Sequence, residues 1–500
     1  MEMSPPATPL KSDILILSAL ASVVLVVHFL LGNGYGFHRD ELQFLDDARH
    51  LHWGFVAYPP LTAFAGRVSI ALFGISPQTL RLPAAIVNAC SLVIVGLVAR
   101  ELGGRRPAQV LALLACLPVA LSFSSVLQYN TFDYLANALL ALFAAKLLRS
   151  GNPRWWIAVG AALGLGVLSK YTIAFPAAGL AAAVILLPSQ RHFLRSRWIY
   201  LGALTTLLVA SPNLLWLARH HFITLQMEHF IHLRDVRNGR ADGYYSDQLK
   251  FTFLALPLAV AGLISLLRSP RYRLLSAFYL GPFLLLALMR GRGYYLLPGY
   301  IVLYAAGAAA LERVLAARPK SLRVAAWGTA ATAMLACSVL GGLTFLPFAS
   351  VGSLAWNWQM KHNSDMADEV GWPEFVDDVA AVRDGLSPSQ RVHLAVVADN
   401  YGEAGALALY GPSHNLPTPI STVNSFYSRG WGPYTPQTVI VTGYDWDEVN
   451  RDFSDCSLAG HVHIPYGVRN EESKYHPDIF VCGHLRGAWA KVWGHARHFG

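Results

Sequence analysis

Residues 35–44 read YGFHRDELQF and follow an apolar run from Ile14 to Leu31. An arginine and two adjacent carboxylates, Arg39, Asp40 and Glu41, therefore stand where a membrane-crossing segment would end. A carboxylate held at that boundary can take a proton from a hydroxyl presented from the water. The bland alternative is a solvated helix end. The residues that follow, DDARHLHWGFVAYPP, continue with acids and amphipathic aromatics. That composition suits a structured loop lying along the bilayer surface, with His38 and Tyr58 expected at its cavity.

Asp133, in QYNTFDYLANALL, marks another helix start on the same side, a position that the helix dipole alone would also favour. Lys170, in GLGVLSKYT, falls between two apolar stretches with almost no loop. An ionisable group at that depth either snorkels or meets an anion. The segment MRGRGYYLLPGY, residues 289–300, adds Arg290, Arg292, Tyr294 and Tyr295 at a further helix end. Arginine grips phosphate through a fork of donors, and tyrosine settles at the headgroup level. Acids on one hand, and fixed cations among tyrosines on the other, suit proton transfer beside a lipid phosphate.

These residues need a scaffold, and composition says which kind. The chain of 500 residues is 54% apolar and only 14% charged, which exceeds what a water-soluble domain shows. A crossing helix takes about 20 apolar residues, and hydropathy yields roughly eleven such stretches. They run approximately over 13–31, 80–99, 108–125, 133–149, 155–169, 172–188, 199–217, 249–267, 274–289, 296–312 and 324–346. A shorter stretch, 60–76, contains Arg67 and reads as an amphipathic segment in the interface. The first run is too long for the core of a signal peptide and is expected to remain as the first span.

The loops RELGGRRP, KLLRSGNPR, SQRHFLRSRW, RSPRYR and RVLAARPKSLR fall on one side, which the positive-inside rule makes cytoplasmic. The net charge of +9 is thus a mark of topology and gives no reason to expect nucleic acid. Residues 32–59, Asp133, Lys170 and everything after about 347 are then extracytoplasmic. Hydropathy collapses after Pro347. In that tail VHLAVVA and TVIVTG read as strands, and GEAGALALYG and WDEVNRDF as helices, predicting a soluble α/β domain. The expected division is a transmembrane domain over 1–346, carrying an amphipathic first outer loop at 32–79, and a soluble domain over 347–500.

Cys456 and Cys482 lie in the tail and are a candidate disulfide in an oxidising compartment, the alternative being two free thiols. His220, His221, His229 and His232 share one outer loop, but their spacing and lack of carboxylate partners argue for an interfacial role over a divalent metal. No cofactor is required. The Asp-X-Asp of YDWD, residues 444–447, reads as a helix N-cap region.

Taken in order, HRDELQFLDDARHLHWGFVAYPPLTAF, LFGISPQTLRLPAAI, ARELGG, YNTFDYLANALLALF, GLGVLSKYT, SPNLLWLARHHF and YYLLPGY resemble membrane glycosyltransferases of the protein O-mannosyltransferase and lipid A aminoarabinose transferase type. The likeness covers roughly residues 10–310, and ADNYGEAGALALYG with SFYSRGWG resembles the tail of many bacterial members. It implies a GT-C fold and a donor sugar carried on a polyprenyl phosphate. The acceptor is a glycan, lipid or protein hydroxyl, and the setting is the outer face of the inner membrane. It further implies Asp40 as base, with Glu41 and Asp133 as companion acids. Lys170, Arg290, Arg292, Tyr294, Tyr295 and Arg39 are then the phosphate-side residues. Two rival readings are a lipid-linked-sugar transporter without catalysis and a ligase using a diphosphate donor.

Overall fold

The computed structural model describes residues 9–240 and 242–500, which divide into two compact units. One contains residues 9–30, Tyr58–Thr62 and Arg81–Leu346. The other contains Leu31–Ala57, Ala63–Leu80 and Pro347–Gly500. Most of the segment 32–79 thus groups with the C-terminal tail, whereas hydropathy assigns it to the transmembrane domain. The reason lies in its sequence: RDELQFLDDAR carries too many charges for hydrocarbon yet buries Leu42, Phe44, Leu45 and Ala48, so it needs a protein surface to cover it.

The first unit is helical. Among the described residues, eight helices are long and apolar enough to cross a membrane, or nine if the bent pair Tyr171–Leu186 and Pro188–Arg195 forms one span. Two further stretches read as spans from hydropathy are apolar helices of 15 and 16 residues, Trp155–Ser169 and Arg273–Leu288. The stretch expected in the interface forms the helix Leu61–Phe73. Large apolar side chains on these helices point outward, Leu15, Leu208 and Leu288 being 71%, 65% and 81% exposed, as a surface solvated by lipid requires. Inside, backbones meet through small residues: a Cβ on Gly160 would fall 2.0 Å from the Gly202 carbonyl oxygen. Close packing of this kind, in place of a hydrophobic drive, holds helices together in lipid.

The second unit is built on a four-stranded sheet of order β1-β2-β4-β3, with β1 Leu394–Ala398, β2 Thr438–Thr442, β3 Ser457–His461 and β4 Asp478–Cys482. β1 and β2 run parallel with Val396 opposite Ile440, and β4 lies antiparallel to both β2 and β3. β2 is buried at every position, which explains the unbroken apolar run VIV at its centre. The helices Tyr401–Tyr410 and Trp446–Asp452 follow β1 and β2, each started by a side-chain cap, Asn400 and Asp445. Asp445 of the YDWD stretch is therefore occupied in capping, with Glu448 completing the box. Cys456 and Cys482 are joined as a disulfide.

Candidate functional site

The loop helix Arg39–Arg49 starts in a capping box. The His38 ring accepts from the Asp40 N–H at 3.2 Å, and the Glu41 carboxylate accepts from the His38 N–H at 3.0 Å. His38 and Glu41 are consumed in this arrangement, Glu41 being fully buried. Their expected places, at the acceptor cavity and beside the base, give way to holding the first turn. Asp40 comes next to them on the turn but faces outward, its side chain 48% exposed.

Both tail stretches that carried the resemblance grip this helix. From ADNYGEAGALALYG, the helix Tyr401–Tyr410 lies against it through glycine. A Cβ on Gly405 would come within 2.7 Å of the Leu42 Cβ and 2.9 Å of its carbonyl oxygen. From SFYSRGWG, Arg429 pairs with Asp46 and, at 3.0 Å, with Asp47. Tyr401 closes the other end, its hydroxyl donating to Asp40 Oδ1 at 2.9 Å. Burial, and then the neighbouring Asp40 charge, push the Tyr401 phenol upward, so it remains a neutral donor. One oxygen of Asp40 is thereby pinned.

Arg39, read as a phosphate ligand, is spent elsewhere. It is buried, pairs with Glu471 and lies over the Tyr401 ring at 4.7 Å. Burial raises the carboxyls of Asp368 and Glu472, and Arg39 opposes both shifts. Arg39 is thus engaged by acids of its own unit.

Tyr401 is a residue the sequence reading missed, although its segment was in view. Hydrogen bonds to charged groups contribute about 1.5–3 kcal/mol, and each 1.36 kcal/mol is about tenfold in rate. If Asp40 is the base expected from the sequence and the hydroxyl only orients it, Tyr401→Phe should lower kcat about ten- to 100-fold and leave both KM values unchanged. Steady-state kinetics in a reconstituted system would show this; a rise in KM with kcat intact would assign Tyr401 to binding instead.

The first unit gathers its own cluster. Trp155–Ser169 ends at Lys170, whose extended backbone breaks the helix before the short turn Tyr171–Ile173. The Lys170 ammonium donates to Asn130 Oδ1 at 2.6 Å. It lies 4.1 Å from the Tyr295 ring centre, 5.0 Å from Tyr294 and 5.1 Å from Tyr129. Three ring faces around one ammonium stabilise the charge without neutralising it, so it can still attract an anion. Tyr58 is buried and stacks behind Tyr129 at 6.2 Å, which makes it a support of this cage. Asp133 is buried at the start of the helix Tyr129–Ser150. Asn137 donates to its Oδ1 at 3.1 Å, and Thr172 to its Oδ2 at 3.5 Å.

Of the two arginines, neither joins the cage directly. Arg290 forms an exposed pair with Asp242 at 2.9 Å. Arg292 makes a bidentate pair with Asp235 at 2.5 and 2.7 Å. Asp235 belongs to the helix Ile223–Arg237, as does Glu228, a carboxyl within electrostatic reach of Lys170 and Arg292. Desolvation raises the Glu228 carboxyl, and the two cations oppose it. In this loop the sequence draws attention to histidines, yet His220, His221, His229 and His232 are all exposed, and the acids are what meet the cations. Among the described residues no group of three or more His, Cys, Asp or Glu is arranged to hold a metal ion.

Residues 57–216 match the dolichyl-phosphate-mannose-protein mannosyltransferase family. The lipid A galacturonosyltransferase RgtD of Rhizobium johnstonii is 30% identical over 195 residues, 38% of this chain, and the chain spans 40% of that relative's length. Among solved structures, ArnT from Cupriavidus metallidurans bound to undecaprenyl phosphate is similar with a TM-score of 0.57 at 16% identity, over 95% of this chain and 98% of that one. The Archaeoglobus fulgidus oligosaccharyltransferase, tethered with an acceptor peptide, gives 0.51 at 13% identity, over 82% of this chain and 63% of that one. At such identities the likeness is one of fold. This multi-pass membrane chain has the GT-C fold.

Proposed function

We propose that the protein is an inverting glycosyltransferase that moves a sugar from a polyprenyl phosphate to a hydroxyl acceptor on the outer face of the cytoplasmic membrane. The observation that carries this reading is Asp40: a half-exposed carboxylate with one oxygen accepting from Tyr401 and the other 4.0 Å from the His38 ring nitrogen. A base in that state can receive a proton without losing its orientation. The acceptor oxygen would attack the anomeric carbon while its proton passes to Asp40. The bond from that carbon to the phosphate oxygen breaks with inversion, and polyprenyl phosphate leaves. Lys170, held in its tyrosine cage, is the cation suited to the phosphate, since fixed charges act without reorganising during the step.

The likeness to ArnT with undecaprenyl phosphate bound, and to a lipid A galacturonosyltransferase, supports the donor class and makes a lipid-A-type saccharide the first acceptor to try. The basic loops and the disulfide support the outward placement of the tail. The test is to incubate the purified protein in lipid nanodiscs with radiolabelled undecaprenyl-phosphate sugars and acceptor. Release of undecaprenyl phosphate together with a glycosylated acceptor is the expected result. A transporter would release none, and turnover confined to undecaprenyl diphosphate donors would make the protein a ligase.

A further inference from the structure

The soluble unit contains a cleft of about 400 Å³ that plays no part in holding the loop helix. It opens where β1 and β2 end: Asp399 directly follows β1, and Tyr444 lies two residues beyond β2. The carboxyl ends of parallel strands are where open α/β sheets take ligands, because the chains diverge there and leave a crevice. The volume falls within the range of about 300–1,000 Å³ usual for small-molecule sites.

The two walls differ in chemistry. One is the helix Trp489–Ala496, whose Trp489, Val492, Trp493 and Ala496, spaced i, i+3, i+4 and i+7, make a single apolar face; Trp489 is buried in the sheet core, and the half-buried Val492, Trp493 and Ala496 line the cleft beside it. Trp493 is fixed there by stacking on Tyr427 at 5.3 Å and 11°, and by the edge of Trp431 at 5.5 Å. The opposite wall is the helix Trp446–Asp452, presenting Glu448, Arg451 and Asp452. Arg451 is turned onto Asp452 at 3.0 and 3.2 Å, so the acids keep the balance of charge negative. His498 steadies the closing tail, its ring in contact with Thr422 Oγ1 at 3.1 Å and with the Asp399 carbonyl at 3.1 Å.

An aromatic face opposite a row of hydrogen-bond acceptors matches a pyranose ring, whose C–H face is apolar and whose rim is hydroxyl. The surplus of carboxylates disfavours phosphates and uronates. We propose that this cleft is a saccharide-binding site for neutral or amine-bearing sugars, holding non-reacting rings of the acceptor glycan. The proposal rests on the transferase reading for its acceptor, but its binding chemistry stands apart from turnover.

Full-length protein in nanodiscs would be titrated by saturation-transfer NMR with a glucosamine disaccharide, with maltose and with digalacturonic acid. Binding of the first or second, and none of the third, is expected. Ala496→Trp fills the cleft without removing any contact, and Glu448→Gln removes one charge. The former should weaken binding more than tenfold and raise the acceptor KM by a similar factor; the latter should relax the exclusion of digalacturonic acid. Circular dichroism and size-exclusion profiles would establish that both variants fold. If neither glucosamine disaccharide nor maltose binds, or if Ala496→Trp leaves their binding intact, the cleft is not a saccharide site, whatever the transfer assay shows. Binding without sugar transfer would instead retain the cleft and remove the transferase reading.

Discussion

Asp40→Asn is expected to lower turnover by about 10²- to 10⁴-fold, the usual contribution of general-base help, while the donor still binds. The substitution is nearly isosteric, and Tyr401 can still donate to the side-chain oxygen that remains, so the local hydrogen bond survives. The main supports of the loop helix lie in other residues: the capping box is made by His38 and Glu41, and the helix is held by Gly405 and Arg429, while the Asp40 charge adds a long contact to His38 and a favourable field at Arg39. Loss of activity without loss of stability is therefore the signature. It would be read by single-turnover transfer alongside a thermal melt. Transfer at the normal rate by the purified variant would remove Asp40 from the chemistry.

The contrasting variant is Lys170→Met, which keeps the stem that packs among Tyr129, Tyr294 and Tyr295 and deletes the charge. Fixed donors aimed at developing charge are worth about 10²–10³ in kcat, and a comparable loss is expected here. Unlike Asp40→Asn, this variant should also bind undecaprenyl phosphate more weakly, because in the proposed reaction the ammonium would attract the phosphate before and after bond breaking. Lys170→Arg should recover only part of the activity, since a planar fork cannot sit in a cage shaped for a compact ammonium. Titration with undecaprenyl phosphate separates the cases. Unchanged affinity in Lys170→Met would place the phosphate elsewhere, with Arg292 next to be tried.

The two variants together divide the labour of the proposed reaction. One should stop proton removal with the donor in place; the other should impair the donor's headgroup itself. A protein that merely carried lipid-linked sugars would respond to the second and ignore the first.

Much of this was legible in the chain. Apolar runs of about 20 residues have few alternatives to crossing a bilayer as helices, because every backbone group must be satisfied without water. The same local logic marked the tail: VIV in β2 and AVV in β1 are sequences that only a buried strand accommodates well. An acid beside a span end and a lysine between spans were visible for the same reason, since charge in or near hydrocarbon is costly and so conspicuous.

Tertiary structure decided which charges remain available. Arg39, Asp40 and Glu41 are consecutive and equally ionic in sequence, yet one is buried on Glu471 and one is buried in capping, whereas Asp40 stays half-exposed. Arg290 and Arg292 look like a pair until each is seen with its own aspartate, Asp242 and Asp235. Partners lie tens to hundreds of residues apart, as Asp242 does from Arg290 and Tyr401 from Asp40, and a one-dimensional pattern carries no record of which of several like charges will meet an opposite one. Sequence sets what a side chain can do; burial and its neighbours set whether it is free to do it.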